Sequence, residues 1–298
     1  MLYNKPAVSI PDQILKLKSR GLRFKDEAKA VSYLSNISYY RLRAYTFPFQ
    51  DNNHPNHPFK SAISFEDIIS LYVFDRQFRL FVLDAIEKIE ISIRTQIVYQ
   101  WAMSHGSHWY LDPTLFIDLN RHTTEISRLQ QEVSRSAETF IAHYKSKYTT
   151  PPEPPCWMSL EVSSFGLLSL LFKNLKLGNE KKMLVSYYGL KDVRILENWM
   201  HSFSNIRNIC AHHGRLWNRR LTAHIKLPTN PKNLFIRNNN IIPYKIYASL
   251  CCMKYMIDII SPGNTFHIRL KELMRNCPLA QEKEMGFPTN WEQDAFWL

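Results

Sequence analysis

The sequence predicts an all-helical protein. Over long segments of the chain, apolar residues recur with the 3.6-residue period of an amphipathic helix. Only eight glycines stand against sixteen prolines, which is typical of helices joined by stiff connections, and we find no convincing pair of strands. The 298 residues, 45% of them apolar, suffice for one large or two ordinary domains with a buried core.

Residues 1–57 are interpreted as a small helical accessory segment. A short helix is predicted over residues 9–21, with Pro11 in its first turn. Asp26 is expected to cap a second helix that runs to about Leu34.

The stretch SYYRLRAYTFPF (38–49) interleaves tyrosines with Arg41 and Arg43. Such a mixture suits stacking on RNA bases and neutralising phosphates. The alternative, which we favour for most of the tyrosines, is that they pack this segment onto the rest of the protein. Arg41 and Arg43 are kept as candidate RNA contacts. In the loop that follows, His54 and His57 have no acidic or thiol partner near in sequence, so we expect solvated histidines.

A long helix is predicted over residues 65–103. Its inward stripe consists of Val82, Ala85, Ile86, Ile89, Ile93 and Ile97. On another face, Glu90 and Arg94 have the spacing of an i,i+4 ion pair, which adds a few tenths of a kcal/mol on an exposed helix. The alternative is that Arg94 lines an RNA site.

Three further helices are predicted in the middle of the chain. Residues 118–148 predict one polar helix with a thin apolar stripe, followed by a stiff proline-rich connector. Residues 157–175 are apolar nearly all round, so their helix is expected in the core. Asn179 is expected to cap a helix that reaches about Tyr188.

The stretch 193–220, VRILENWMHSFSNIRNICAHHGRLWNRR, has a helical period that separates its polar and apolar residues. On a wheel of about 100° per residue, one arc holds Ser204, Arg207, Asn208, Ala211, His212 and Arg215. The opposite arc is apolar and includes His213, so the two adjacent histidines are expected to differ in role. Gly214 is expected to end the helix.

The densest basic patch of the chain comes next and consists of Arg215, Arg219, Arg220 and Lys226. Such a strip is suited to holding an RNA strand through its phosphates. A surface loop over 230–243, a helix over 244–260 and a last helix that ends near Asn276 are predicted beyond it. The tail after that helix is too aromatic to be left free in water.

Arg207, Asn208 and His212 suit chemistry at a phosphodiester. The unperturbed pKa of histidine lies near neutrality, so an imidazole can remove or return a proton at the ribose 2′-hydroxyl or at the leaving oxygen. A guanidinium offers a planar set of donors for phosphate oxygens and offsets the charge of the transition state. Taken alone, this pattern is more often a solvated helix face.

Residues 207–212, RNICAH, resemble the R-N-x-x-x-H motif of HEPN ribonucleases, and their setting RNICAHHGRLWNR is similar to the abortive-infection (Abi) family of bacterial anti-phage proteins. Residues 38–49, 83–97 and 154–171 also resemble blocks of that family, in the same order. The resemblance implies a HEPN-like helical bundle, here residues 58–298, behind the small N-terminal extension. It also implies that Arg94 lies near the site, because its block resembles the second charged helix of the family.

For this family the resemblance further implies metal-independent RNA cleavage without a cofactor, with Arg207, Asn208 and His212 as catalytic residues. The site is expected to be completed where two motif helices meet in a homodimer, and the activity to serve abortive infection or to act as a toxin. A toxin of this kind needs restraint, so an antitoxin, either RNA or protein, is a further expected partner. The alternative is an RNA-binding module of the same architecture without turnover.

Lysines and arginines outnumber aspartates and glutamates by 38 to 26, which favours a polyanionic partner, most simply nucleic acid. An anionic membrane would also satisfy this charge, but no segment has a clustered basic face beside an apolar one. The chain begins without the apolar run of a signal peptide and has no stretch long enough to span a bilayer, so we expect a cytoplasmic protein. The five cysteines lack metal-binding spacing and are expected to be reduced and mostly buried.

Overall fold

A computed structural model describes residue 2, residues 6–237 and residues 240–298 of the protein. Within these ranges the chain forms thirteen α-helices and no strand, which confirms the predicted all-helical class. Asn238 and Asn239, which belong to the predicted surface loop, lie outside the described residues.

The chain divides into two compact units. The first comprises residues 1–79 and 272–281, and the second comprises residues 80–271 and 282–298. The first unit therefore extends beyond the predicted accessory segment 1–57 and takes in a short piece of the C-terminal region.

The first unit contains three short helices and the beginning of a long one: α1 (Ile10–Ser19), α2 (Glu27–Asn36), α3 (Tyr39–Thr46) and the first part of α4 (Phe65–His105). The side chains of Ser9, Asp26 and Ser38 cap the three short helices by accepting hydrogen bonds from backbone N–H groups of the first turn. The caps at Ser9 and Asp26 explain why the first two helices begin where the sequence predicts, whereas the helix capped by Ser38 was not predicted.

A buried polar cluster connects α3 with α4 in the first unit. The Tyr45 hydroxyl donates to Asp75 Oδ2 over 2.6 Å, and Arg79 Nη1 donates to the same carboxylate. Burial raises the pKa of the Tyr45 hydroxyl well above its usual value. Tyr45 thus packs inside, as expected for most tyrosines of this stretch, whereas Tyr40 is 83% exposed.

The second unit holds the rest of α4 and the remaining helices: α5 (Leu119–Arg135), α6 (Thr139–Lys147), α7 (Cys156–Ser159), α8 (Phe165–Asn174), α9 (Asn179–Tyr187), α10 (Val193–Ala211), α11 (Ile246–Ile260), most of α12 (Phe266–Arg275) and α13 (Glu282–Met285). The predicted inward stripe of α4 is buried at every position from Val82 to Ile97. Helix α8 packs against α5 and α10, so the apolar helix is central, as predicted.

Two predicted helices are each interrupted. Residues 118–148 form α5 and α6 because the Ser136 hydroxyl accepts the Glu138 N–H and the backbone is extended at both residues. Residues 157–175 form α7 and α8 because Ser164 caps α8, with its hydroxyl accepting the Leu167 N–H. Local hydrogen bonds of serine therefore override the apolar period in both places.

The aromatic tail is packed into the second unit. Phe287, Trp291, Phe296 and Trp297 are all buried, and Trp297 Nε1 donates to the Tyr247 hydroxyl over 2.9 Å. All five cysteines are free and buried, as predicted. The described residues include no helix long and apolar enough to cross a membrane.

Candidate functional site

The motif helix α10 begins at Val193 and ends at Ala211, and it is capped by Asp192, whose carboxylate accepts the Arg194 N–H. Its last turn is closed by two backbone hydrogen bonds: the His213 N–H donates to Cys210 O and the Gly214 N–H donates to Ile209 O. This pattern is a Schellman motif, which requires a left-handed residue at the position that His213 occupies. The φ angle of His213 is 56°, so a histidine stands where glycine is usually favoured.

The helix end corrects one prediction from the helical wheel. His213 was placed among the apolar residues of α10, but it is exposed, because the helix has already ended before it. Leu216 and Trp217 are buried as expected, although they too lie beyond the helix. A helical wheel does not describe residues after a left-handed turn.

Arg207, Asn208 and His212 are all exposed at the C-terminal end of α10. The backbone of His212 is tied to the helix, since its N–H donates to Asn208 O over 3.0 Å. By helix geometry, Arg207 and His212 lie about 140° apart around the axis and about 7.5 Å apart along it. The helix therefore presents the three side chains together to solvent, but with the guanidinium and the imidazole on different sides of the exposed face.

Ser204 departs from the predicted polar arc. It is 6% exposed and faces Gly166 of α8, where a Cβ would lie 3.3 Å from the Ser204 Oγ. The absence of a side chain at Gly166 lets the two helices approach at this point. The buried surface of α10 is consequently wider than the apolar pattern indicates, and Arg207 stands at its edge.

The carboxylate of Glu90, on α4, interacts electrostatically with the guanidinium of Arg207. Burial raises the pKa of the Glu90 carboxyl, while the nearby cations of Arg94 and Arg207 oppose that rise. The Arg207 guanidinium thus has a half-buried carboxyl as a neighbour within the same unit. Sequence reasoning identified Glu90 only as a partner of Arg94, because the approach of α4 to α10 depends on tertiary packing.

Arg94 is buried and its guanidinium is directed into the protein. It donates to Glu90 and to the carbonyl oxygens of Leu160, Glu161 and Ser163, in the turn between α7 and α8. Arg94 had been a candidate RNA contact. In this arrangement it holds the turn before α8 and forms an ion pair with Glu90.

The basic strip runs back along α10. Beyond the Schellman motif, the chain returns to the first half of α10 and contacts Asn198 there. The Asn198 amide donates to His224 O over 3.0 Å and accepts the Lys226 N–H over 2.6 Å. Because Ile209 and Asn198 are eleven residues apart, the strip covers about 16 Å of the helix. The segment that carries the basic residues is therefore tethered to the motif helix near both of its ends.

Within the strip, Arg219 and Arg220 are exposed and Arg215 is half-buried. The Arg215 guanidinium lies 6.0 Å from the ring centroid of Trp217, and that of Arg220 lies 4.2 Å from the ring centroid of Tyr244. Tyr244 was not among the predicted site residues, since it lies far along the chain and carries no local signal.

Arg41 and Arg43 belong to the first unit, whereas the motif belongs to the second. Arg43 is exposed, and the Arg41 guanidinium lies 5.9 Å from the ring centroid of Tyr72. The binding of RNA by Arg41 and Arg43 stays a prediction.

These features define an all-helical protein with an exposed arginine, asparagine and histidine at the end of one helix and a basic strip laid along that helix. Residues 32–218, more than half of the chain, match the family described as Abi-like protein. The chain belongs to this family. Comparisons with curated proteins and with solved structures found no match. Membership of the family fits a role in abortive-infection defence.

Proposed function

We propose that this protein is a metal-independent endoribonuclease of the HEPN type, which acts in abortive-infection defence or as a toxin. The observation that carries the proposal is the joint exposure of Arg207, Asn208 and His212 at the end of α10. Family membership supports it, since the matched region contains the whole motif.

In the proposed reaction the ribose 2′-oxygen attacks the adjacent phosphorus and the bond from phosphorus to the 5′-oxygen breaks. His212 takes the proton of the 2′-hydroxyl or gives one to the leaving 5′-oxygen. Arg207 donates to the phosphate oxygens as negative charge grows on them, and Asn208 orients one of these groups. The products are a 2′,3′-cyclic phosphate and a 5′-hydroxyl.

A homodimer follows from the same chemistry. One imidazole cannot act as base and acid in the same step, and Arg207 and His212 of one helix diverge by about 140°. Two facing motif helices supply a second imidazole and bring the arginine of one protomer near the histidine of the other. Mixing Arg207→Ala and His212→Ala subunits tests the shared site. A mixed dimer unites the arginine of one protomer with the histidine of the other but has a single imidazole, so partial activity above that of either variant alone is expected, and no gain on mixing counts against a shared site.

The basic strip supplies the binding energy for RNA in this proposal. Arg215, Arg219 and Arg220 attract phosphates on either side of the cut, so affinity should fall steeply with salt. Arg94 supports the site indirectly, through Glu90 and the turn before α8. An antitoxin, RNA or protein, is the proposed means by which a host restrains the nuclease.

The direct test uses purified protein and single-stranded RNA in the presence of EDTA. We expect cleavage with 2′,3′-cyclic phosphate ends, and its loss in His212→Ala with the circular dichroism spectrum unchanged. His201→Ala is the matched control, because His201 is also an exposed histidine of α10, and it should retain activity. Full activity in His212→Ala would remove the proposed site. Salt-dependent binding without product, even at long incubation, would favour the non-catalytic RNA-binding module.

A further inference from the structure

Arg220, Tyr244 and His224 form a group of contacting side chains on the surface of the second unit, here named the Arg220 platform. The Arg220 guanidinium lies 4.2 Å from the centroid of the Tyr244 ring, and the His224 ring centroid lies 5.6 Å from it. Arg220 and His224 are exposed, whereas Tyr244 is half-buried. The guanidinium is thus seated on an aromatic ring while remaining accessible to solvent.

The backbone holds the platform in place. The Leu221 N–H donates to Tyr244 O over 2.9 Å, and the Ile225 N–H donates to Pro243 O over 3.1 Å. The Leu221 and Ile225 side chains are both buried, which anchors the segment on the core. A surface ordered before binding loses less conformational entropy when a ligand arrives.

The platform also has a defined position relative to the motif helix. It lies in the strip that returns along α10 and that is tethered to this helix at two points. At one point the Gly214 N–H donates to Ile209 O, and at the other the Asn198 amide donates to His224 O. Since this part of α10 spans about 16 Å, the platform is within reach of an RNA strand that occupies the end of the helix.

We propose that the Arg220 platform binds one unpaired nucleobase of the RNA. The inference rests on the proposed function and assigns single-stranded RNA as its substrate class. A guanidinium seated 4.2 Å from the centroid of an aromatic ring keeps its other side for a base, and arginine planes stack on bases in RNA recognition. A base inside a duplex is already paired and stacked on both faces, so it cannot occupy the platform without being extruded.

Two exposed arginines of the second unit provide a matched experiment. Arg220→Lys keeps the positive charge but loses the planar surface. Arg128→Lys makes the same chemical change at an exposed arginine of α5, outside the basic strip. The probe is a fluorescent single-stranded oligonucleotide with 2′-O-methyl groups throughout, which the proposed reaction cannot cut. Fluorescence anisotropy is measured at low salt, with the corresponding RNA duplex as the second ligand.

We expect Arg220→Lys to weaken single-strand binding about fivefold or more, which is the lower end of the contribution of a stacked base. Arg128→Lys should change it by less than about twofold, and neither variant should alter duplex binding by more than that amount. Tyr244→Phe should retain single-strand affinity, because the ring is kept, and Tyr244→Leu should lose it.

Equal losses in Arg220→Lys and Arg128→Lys, or equal affinity of the wild type for single strand and duplex, would overturn the platform and leave the nuclease proposal standing. Absence of binding to any RNA at low salt would overturn both.

Discussion

Replacing Arg94 by methionine separates a structural role of this residue from a role in RNA binding. The methionine fills a similar volume but removes every donor of the guanidinium. It leaves the carbonyl oxygens of Glu161 and Ser163 without the hydrogen bond from Arg94, and it leaves the half-buried Glu90 carboxylate without its cation. An unsatisfied buried polar group costs about 1–3 kcal/mol, and breaking a buried ion pair costs about 3–5 kcal/mol.

We therefore expect Arg94→Met to lower the free energy of unfolding by at least about 3 kcal/mol, a large share of the 5–15 kcal/mol typical of a folded protein. Urea denaturation followed by circular dichroism measures it. Arg76→Met is the control, because Arg76 is an exposed arginine of the same helix, and it should change stability by no more than about 0.5 kcal/mol. An Arg94→Met protein as stable as the wild type, but with weaker RNA binding, would refute this reasoning and return Arg94 to the RNA site.

Three further predictions concern stability and the charge at the site. His213→Gly should raise the free energy of unfolding by up to about 1 kcal/mol, since glycine tolerates the positive φ, whereas His213→Ala should show no such gain in thermal denaturation. Asp75→Asn removes the buried partner of Arg79 and should cost about 3–5 kcal/mol in urea denaturation, so an unchanged midpoint would show that the pair is not needed. Glu90→Gln should bind the uncut RNA probe up to about fivefold more tightly at neutral pH, because an ionised Glu90 competes with phosphate for Arg207. Burial raises the pKa of Glu90, so the wild-type carboxyl gains its proton as the pH falls through that raised value. The difference in RNA affinity between the wild type and Glu90→Gln should disappear there. The same difference in affinity at all pH values would contradict this account.

The sequence by itself determined the helical class and the beginning of most helices. The 3.6-residue period predicts the buried stripe from Val82 to Ile97, and the helix starts predicted at Ser9 and Asp26 arise from purely local hydrogen bonds. The helical wheel also placed the motif residues Arg207, Asn208 and His212 on one polar arc, and all three are exposed.

Tertiary structure decided which charged residues serve the fold and which face solvent. Arg94 and Arg220 look alike in sequence, yet one is surrounded by backbone carbonyls and the other lies exposed on Tyr244. Their environments are built by segments far away along the chain, whose approach depends on packing and not on any local pattern. His213 shows the same limit locally. The helical wheel predicted a core position for it, but its own left-handed backbone conformation ends the helical path and leaves it exposed.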